Sequence, residues 1–268
     1  MEINRTNINE IVFKSNARPD KDYGQNFLIE PAICEHIVNV LNIETDDKVL
    51  EIGPGLGSLT HFISLQSNNL TVVDIDERMT SFLRLIYPDV NVVLSDIRKH
   101  DVFSYDKIIA NLPYNITTET IVYLLCEATH FKKMVLMIQT DAYPHFSDVS
   151  GKEYGPASVL LHLLGDTKKL FQVKPGSFYP APKCSSTVFE INSSLKCDLD
   201  EAKQVYGFAK SLFLNRRKTI SNNLSNYVKD RELANSILTE TNISISARPE
   251  EISPLDYLKL YRNYKSRL

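Results

Sequence analysis

No stretch of about 18 consecutive apolar residues occurs in the chain, so no membrane-spanning helix is expected. No basic segment followed by an apolar one opens it; residues 1–26 are polar and mixed, and the cytoplasm is the expected compartment. Cysteine is scarce. The four are Cys34, Cys126, Cys184 and Cys197, with no C-x-x-C pair and no accompanying histidine cluster. That excludes a disulfide framework and a zinc site; no metal is expected, and the cysteines read as small buried hydrophobes. Internal repeats and low-complexity tracts are also missing. Net charge is small, −3 over 268 residues, so the composition as a whole does not announce a nucleic-acid binder. The average conceals an asymmetry, because from residue 196 onward Lys and Arg outnumber Asp and Glu by 13 to 9.

What is present is a regular alternation. Short apolar runs at 48–52, 70–75, 90–94, 107–110 and 133–138 read as buried strands. Between them, 31–41, 58–65, 78–86 and 118–128 have helical apolar spacing. This order predicts an α/β fold with a parallel sheet covered on both faces, and 188–191 reads as a late strand. From 200 to 268 only helical patterns remain, at 202–214, 220–227, 231–238 and 255–264. The expected organisation is therefore a flexible, polar lead-in over 1–22, a catalytic domain over 23–195 and a small helical domain over 196–268.

The first strand runs into Gly53-Pro54-Gly55-Leu56-Gly57. Glycines at a strand-to-helix turn let a ligand's polar groups approach the backbone. About 20 residues on, the second strand ends in Asp74-Ile75-Asp76, where an acid can accept hydrogen bonds from both ribose hydroxyls. The third leads into Ser95-Asp96-Ile97, where an acid can accept from an adenine amine. A dinucleotide site would want its third glycine one residue later. Glu51, just before the glycines, favours S-adenosylmethionine, whose sulfonium and amino groups are cationic.

The fourth strand ends in Asn111-Leu112-Pro113-Tyr114. In open parallel sheets, ligands bind beyond the carboxyl ends of the strands, which sets this motif beside the glycine loop. The Asn side-chain oxygen and a main-chain carbonyl can accept both hydrogens of an exocyclic amine. Proline stiffens the turn, and Tyr114 offers a ring on which a base can stack. The amine nitrogen's electron density is then aimed at the methyl donor. No strong base is required, since positioning two reactants contributes roughly 7–11 kcal/mol in favourable cases.

Gly24-Gln25-Asn26-Phe27-Leu28, Glu51 through Gly57, and Asn111-Leu112-Pro113-Tyr114-Asn115-Ile116 occur in that order. With Tyr154-Gly155, Phe178-Tyr179-Pro180-Ala181-Pro182-Lys183 and Asn215-Arg216-Arg217-Lys218-Thr219, the sequence resembles the rRNA adenine dimethyltransferase family, in particular its KsgA-type small-subunit enzymes. The resemblance implies a Rossmann-like class I methyltransferase fold with a mostly parallel seven-stranded sheet. It implies S-adenosylmethionine as cofactor and a cofactor site of Asn26, Leu28, Glu51, Gly53, Gly55, Gly57, Asp74, Ile75, Asp96, Ile97 and Asn111. Asn111, Leu112, Pro113 and Tyr114 would hold the target adenine, with Phe178 stacked on its other face. Lys183, Arg216, Arg217 and Lys218 would contact RNA. The implied substrate is a small ribosomal subunit precursor, bound by a monomer. Basic positions usual in the family are absent where Thr140 follows Gln139 and Pro156 follows Gly155. Two other readings stand beside this one: a large-subunit rRNA adenine methyltransferase of the macrolide-resistance type, and a ribosome-assembly factor without turnover.

Overall fold

The computed structural model describes residues 1–16, 18–20, 24–113 and 116–268. In chain order the elements are α1 (Ile8–Ser15), β1 (Phe27–Leu28), α2 (Pro31–Leu41), β2 (Val49–Ile52), α3 (Ser58–Ser64), β3 (Leu70–Asp74), α4 (Glu77–Ile86), β4 (Asn91–Leu94), β5 (Lys107–Asn111), α5 (Thr117–Glu127), β6 (Lys133–Gln139), α6 (Pro144–Ser147), α7 (Pro156–Leu164), β7 (Gly165–Val173), β8 (Phe178–Tyr179), β9 (Ser186–Ser193), α8 (Leu199–Phe213), α9 (Ile220–Val228), α10 (Arg231–Glu240) and α11 (Pro254–Lys265).

Seven strands form one sheet in the order β4-β3-β2-β5-β6-β9-β7. The pairs from β4 to β6 are parallel and β9 runs antiparallel to β6, so the sheet is mostly parallel, as the sequence predicts. Strands with helices over both faces bury every residue, and β2 (Val-Leu-Glu-Ile) is buried throughout. Register is what builds the site. Ile52 lies opposite both Val73 and Ala110, so β2, β3 and β5 end level with one another. The glycine loop, Asp74 and Asn111 therefore emerge at one rim. At the opposite ends of these strands β5 begins with a buried Lys107, whose ammonium lies 3.6 Å from the buried Asp47 carboxylate. Lys132 reaches the same carboxylate at 2.8 Å. A buried charge is tolerable only when paired in this way.

Contacts divide the chain into two units: residues 1–141 with 168–192, and residues 142–167 with 193–268. The expected boundary at 195/196 misses the contribution of 142–167 to the helical unit. The reason is α7, which is apolar on nearly every side. Ser158, Val159, Leu160, Leu161, Leu163 and Leu164 are all buried, because the helix is the centre of that unit and packs on α8 and α11. Aromatic rings fill the remainder, with Tyr154 edge-on to Phe213 and Phe208 stacked on Tyr264. Asp198 caps α8 and Ser253 caps α11 through side-chain oxygens that accept backbone N–H groups left unpaired at a helix start.

The lead-in also differs from expectation. Within 1–22, residues 8–15 form α1, and Ile3, Ile8, Ile11 and Val12 are buried against Phe27, Ile29, Leu56 and Met79. The four apolar residues are diluted in a polar segment, yet α1 puts three of them on one face.

Candidate active site

A cavity of about 190 Å³ opens at the rim where β2, β3 and β5 end. Gly53, Pro54 and Gly55 line it from one side and Asn111, Leu112 and Pro113 from another, with Phe178 beside them. The glycine loop and the Asn-Leu-Pro turn thus share one pocket. Asn26, Leu28, Glu51, Asp74, Ile75, Asp96 and Ile97 line it as well. Tyr114 lies outside the described residues.

Gly55 has φ +55°, and a Cβ on it would fall 2.9 Å from the Phe27 ring, so the loop closes tightly under β1. Gly57 plays another part. It is absent from the cavity lining, stands at the N-cap of α3 with φ +92°, and a Cβ there would lie 2.8 Å from Leu83 Cδ2. Its lack of a side chain serves helix packing; the sequence alone could not separate that from a ligand contact, because both call for glycine.

Two buried acids face the cavity. Glu51 is 1 % exposed, and its Oε2 accepts a 2.6 Å hydrogen bond from the Thr60 hydroxyl. Burial pushes its pKa up to about 8; the Thr60 bond opposes this and the nearby Asp74 charge adds to it. Burial likewise pushes Asp74 up to about 6, against backbone N–H groups that favour its charge. Asp74 Oδ1 accepts from the Asp76 amide at 2.9 Å and Oδ2 from the Gly55 amide at 3.3 Å. Among the described residues neither acid is ion-paired, so positive charge inside the cavity would be strongly favoured there.

At the other end Asp96 is held by a neighbour. Arg98 Nε donates to Asp96 Oδ1 at 3.0 Å and Nη2 to Oδ2 at 2.6 Å, while Nη1 reaches Glu119 at 2.9 Å. The Arg98 guanidinium holds the Asp96 carboxyl below the usual carboxylate range. Arg98 itself lines the cavity and was not singled out from the sequence; a cation two residues past the acid was its only signal.

Asn111 closes β5. Its Nδ2 donates to the Asn26 carbonyl at 3.2 Å, which orients the amide and leaves Oδ1 as its acceptor end. The Leu112 amide continues the ladder to the Met137 carbonyl at 3.0 Å. The Pro113 carbonyl already accepts from Thr117 Oγ1 at 2.9 Å and the Ile116 amide at 3.4 Å. Both of its lone pairs are engaged in the turn. Of the Leu112 and Pro113 carbonyls, that of Leu112 therefore remains the suitable acceptor for a target amine. Phe178 reaches the cavity from β8, which pairs antiparallel with β1 and sets Leu28 opposite Phe178.

The charged residues expected to grip RNA fall in both units. Lys183 is exposed in the unit that holds the cavity. Arg216, Arg217 and Lys218 belong to the other unit. Arg216 is engaged there, donating to the Gly151 carbonyl at 3.2 Å and lying 3.8 Å from Glu250, whereas Arg217 and Lys218 are exposed. Among the described residues no group of three or more His, Cys, Asp or Glu is placed to hold a metal, and no helix is long and apolar enough to cross a membrane.

The family model described as ribosomal RNA adenine dimethylase matches residues 3–266. The chain belongs to the ribosomal RNA adenine dimethylase family. A relative from Malacoplasma penetrans named ribosomal RNA small subunit methyltransferase A is 36 % identical over 88 % of this chain and 89 % of its own length. One of the same name from Ureaplasma urealyticum is 33 % identical over 98 % of both. Among solved structures, a dimethyladenosine transferase from Plasmodium falciparum superposes with a TM-score of 0.77 at 24 % identity, covering 90 % of this chain and 98 % of that one. The 23S rRNA methyltransferase ErmE does so with a TM-score of 0.70 at 21 % identity, covering 90 % and 100 %. Both likenesses speak for the fold, that of a class I methyltransferase with a seven-stranded sheet.

Proposed function

We infer that this chain transfers methyl groups from S-adenosylmethionine to the exocyclic amine of adenosines in small-subunit ribosomal RNA, up to two per base, working in the cytoplasm on a precursor of that subunit. The observation that carries this reading is the shared cavity. It joins buried carboxylates suited to a cationic nucleoside with an Asn-Leu-Pro turn suited to a planar amine.

The donor set fits the cofactor. Glu51 would attract its cationic methionine end, Asp74 would accept from the ribose hydroxyls and Asp96 from the adenine amine, with Asn26, Leu28, Ile75 and Ile97 as walls. When bound, S-adenosylmethionine supplies a methyl group made electrophilic by its sulfonium. The remaining work falls to the protein. Asn111 Oδ1 and the Leu112 carbonyl accept the two amine hydrogens, which turns the nitrogen's electron density toward the methyl. Phe178 stacks on the extruded base and offsets part of an extrusion cost of about a few kcal/mol. An amide oxygen is no base, so the surplus proton leaves to water after transfer.

Relatives named for the small subunit, 36 % and 33 % identical over most of the chain, favour that RNA over the large-subunit alternative, which rests on a likeness of fold at 21 % identity. Intact acceptor groups at Glu51, Asp74 and Asn111 argue against a factor without turnover. Mass spectrometry of small-subunit RNA from cells with and without the gene tests the reading. Dimethyladenosine should vanish with the gene, and its persistence would overturn the assignment.

A further inference from the structure

Phe178 sits on a strand of only two residues. The β1–β8 pair matches Leu28 with Phe178 and Phe27 with Tyr179, and the Ile29 amide adds one more bond to the Ser177 carbonyl at 2.9 Å. So short a ladder is marginal by itself, yet it joins both halves of the site. On the β1 side the chain continues back to the Asn26 carbonyl that orients Asn111. On the β8 side is the aromatic ring expected to meet the base.

One side chain outside the cavity spans the open end of this pair. Arg5 Nε donates to the carboxylate of Glu30, two residues past β1, and Nη2 donates to the carbonyl of Gly176, two residues before β8, at 2.9 Å. Its backbone is fixed in advance. Asn4 Oδ1 accepts from the amides of Thr6 and Asn7 at 3.0 and 3.2 Å, and Asn7 Oδ1 accepts from the Asn4 amide at 2.9 Å. Buried Ile3 and Ile8 anchor the loop on either side. An exposed ion pair on two floppy side chains contributes little. A planar guanidinium presented by a rigid loop to a carboxylate and a carbonyl at once loses less entropy and constrains direction as well as distance.

We propose that Arg5 is a positioning residue for the target base, bolting β8 to β1 so that Phe178 is held over the cavity in the orientation stacking requires. This rests on the reading of Phe178 as a stacking face. Arg5 does not line the cavity, and the strand pair it ties carries the ring expected to meet the base, so its removal should act on RNA more than on cofactor.

The test compares wild type, Arg5→Ala and Arg5→Lys in the full chain. It measures the KM for undermethylated small subunits at saturating cofactor, the Kd for S-adenosylhomocysteine without RNA, and the melting temperature. Arg5→Ala should raise the KM about fivefold to tenfold, the loss of one or two charge-assisted bonds. Its Kd should stay within about twofold, and its melting temperature within about 3 °C. Arg5→Lys keeps the charge and loses the fork, so its KM should fall in between. An unchanged KM in Arg5→Ala, or a KM and Kd that rise by the same factor, would overturn the proposal. A wild type unable to methylate RNA would remove the base and Arg5's role together; an active wild type matched by Arg5→Ala would remove Arg5's role alone.

Discussion

Glu51→Gln should make the ligand-free protein more stable at alkaline pH while weakening its hold on the cofactor. In the unfolded chain Glu51 ionises near its ordinary value of 4.5, whereas burial holds the folded carboxyl protonated up to about 8. Here the folded pKa lies above the unfolded one for an acid. The unfolded state therefore sheds its proton first, and stability falls as pH rises from about 4.5 to about 8. Three pH units of that window correspond to about 4 kcal/mol at 1.36 kcal/mol per unit. Glutamine matches the protonated acid in shape and can still accept the Thr60 hydroxyl bond, so the variant lacks the Glu51 part of the slope, while the part from Asp74, pushed up to about 6, is common to both proteins. Chemical denaturation of both proteins from pH 5 to pH 8 reads the difference directly. Wild type should lose about 3–4 kcal/mol that Glu51→Gln retains. Adding S-adenosylhomocysteine, whose ammonium can pair with the ionised acid, should restore wild type at pH 8 and leave the variant nearly unmoved. Parallel stability curves for the two proteins would refute the assignment of Glu51 as a buried, uncompensated acid.

Asn111→Ala should lower the rate of methyl transfer by at least about a hundredfold, since it removes an acceptor at the reacting amine, with the melting temperature within about 3 °C of wild type; circular dichroism and a labelled-methyl assay check both. Phe178→Ala should raise the KM for RNA more than the Kd for S-adenosylhomocysteine, by about fivefold to 150-fold if stacking is worth about 1–3 kcal/mol, and equal losses would count against a stacking role. Gly57→Ala should destabilise the fold by about 1–3 kcal/mol through its left-handed backbone and the clash with buried Leu83, yet leave S-adenosylhomocysteine affinity within about twofold below the melting transition, because the residue lies outside the cavity. Replacing Arg217 and Lys218 together by Glu should flatten the salt dependence of RNA binding by about one unit of slope per lost phosphate contact; an unchanged slope would make both residues a merely solvated face.

Much of the site was legible because its signals are local. A glycine-dense turn after a buried strand, and acids at the ends of the next two, are visible in the chain itself, and parallel register brings them level around one cavity. What escaped was set by tertiary context. Strand β7 contains Asp166-Thr167-Lys168-Lys169 and lies at a sheet edge, where half-exposed positions accept charge and erase the apolar run. Helix α7 is buried on almost every side and has no polar face from which a period could be read. The packing role of Gly57 depends on Leu83, 26 positions away. The commitment of the Pro113 carbonyl to Thr117 and the hold of Arg98 on Asp96 depend on side-chain directions that spacing alone does not fix.

The proposed reaction requires a methyl donor and an adenine amine to meet between Gly53 and Asn111. Purified protein, methyl-labelled S-adenosylmethionine and undermethylated small ribosomal subunits test it in a single reaction. Label should appear in the RNA as dimethyladenosine, and the same reaction with Asn111→Ala should leave the RNA unlabelled. Label on any other base, or equal labelling by the variant, would contradict the mechanism.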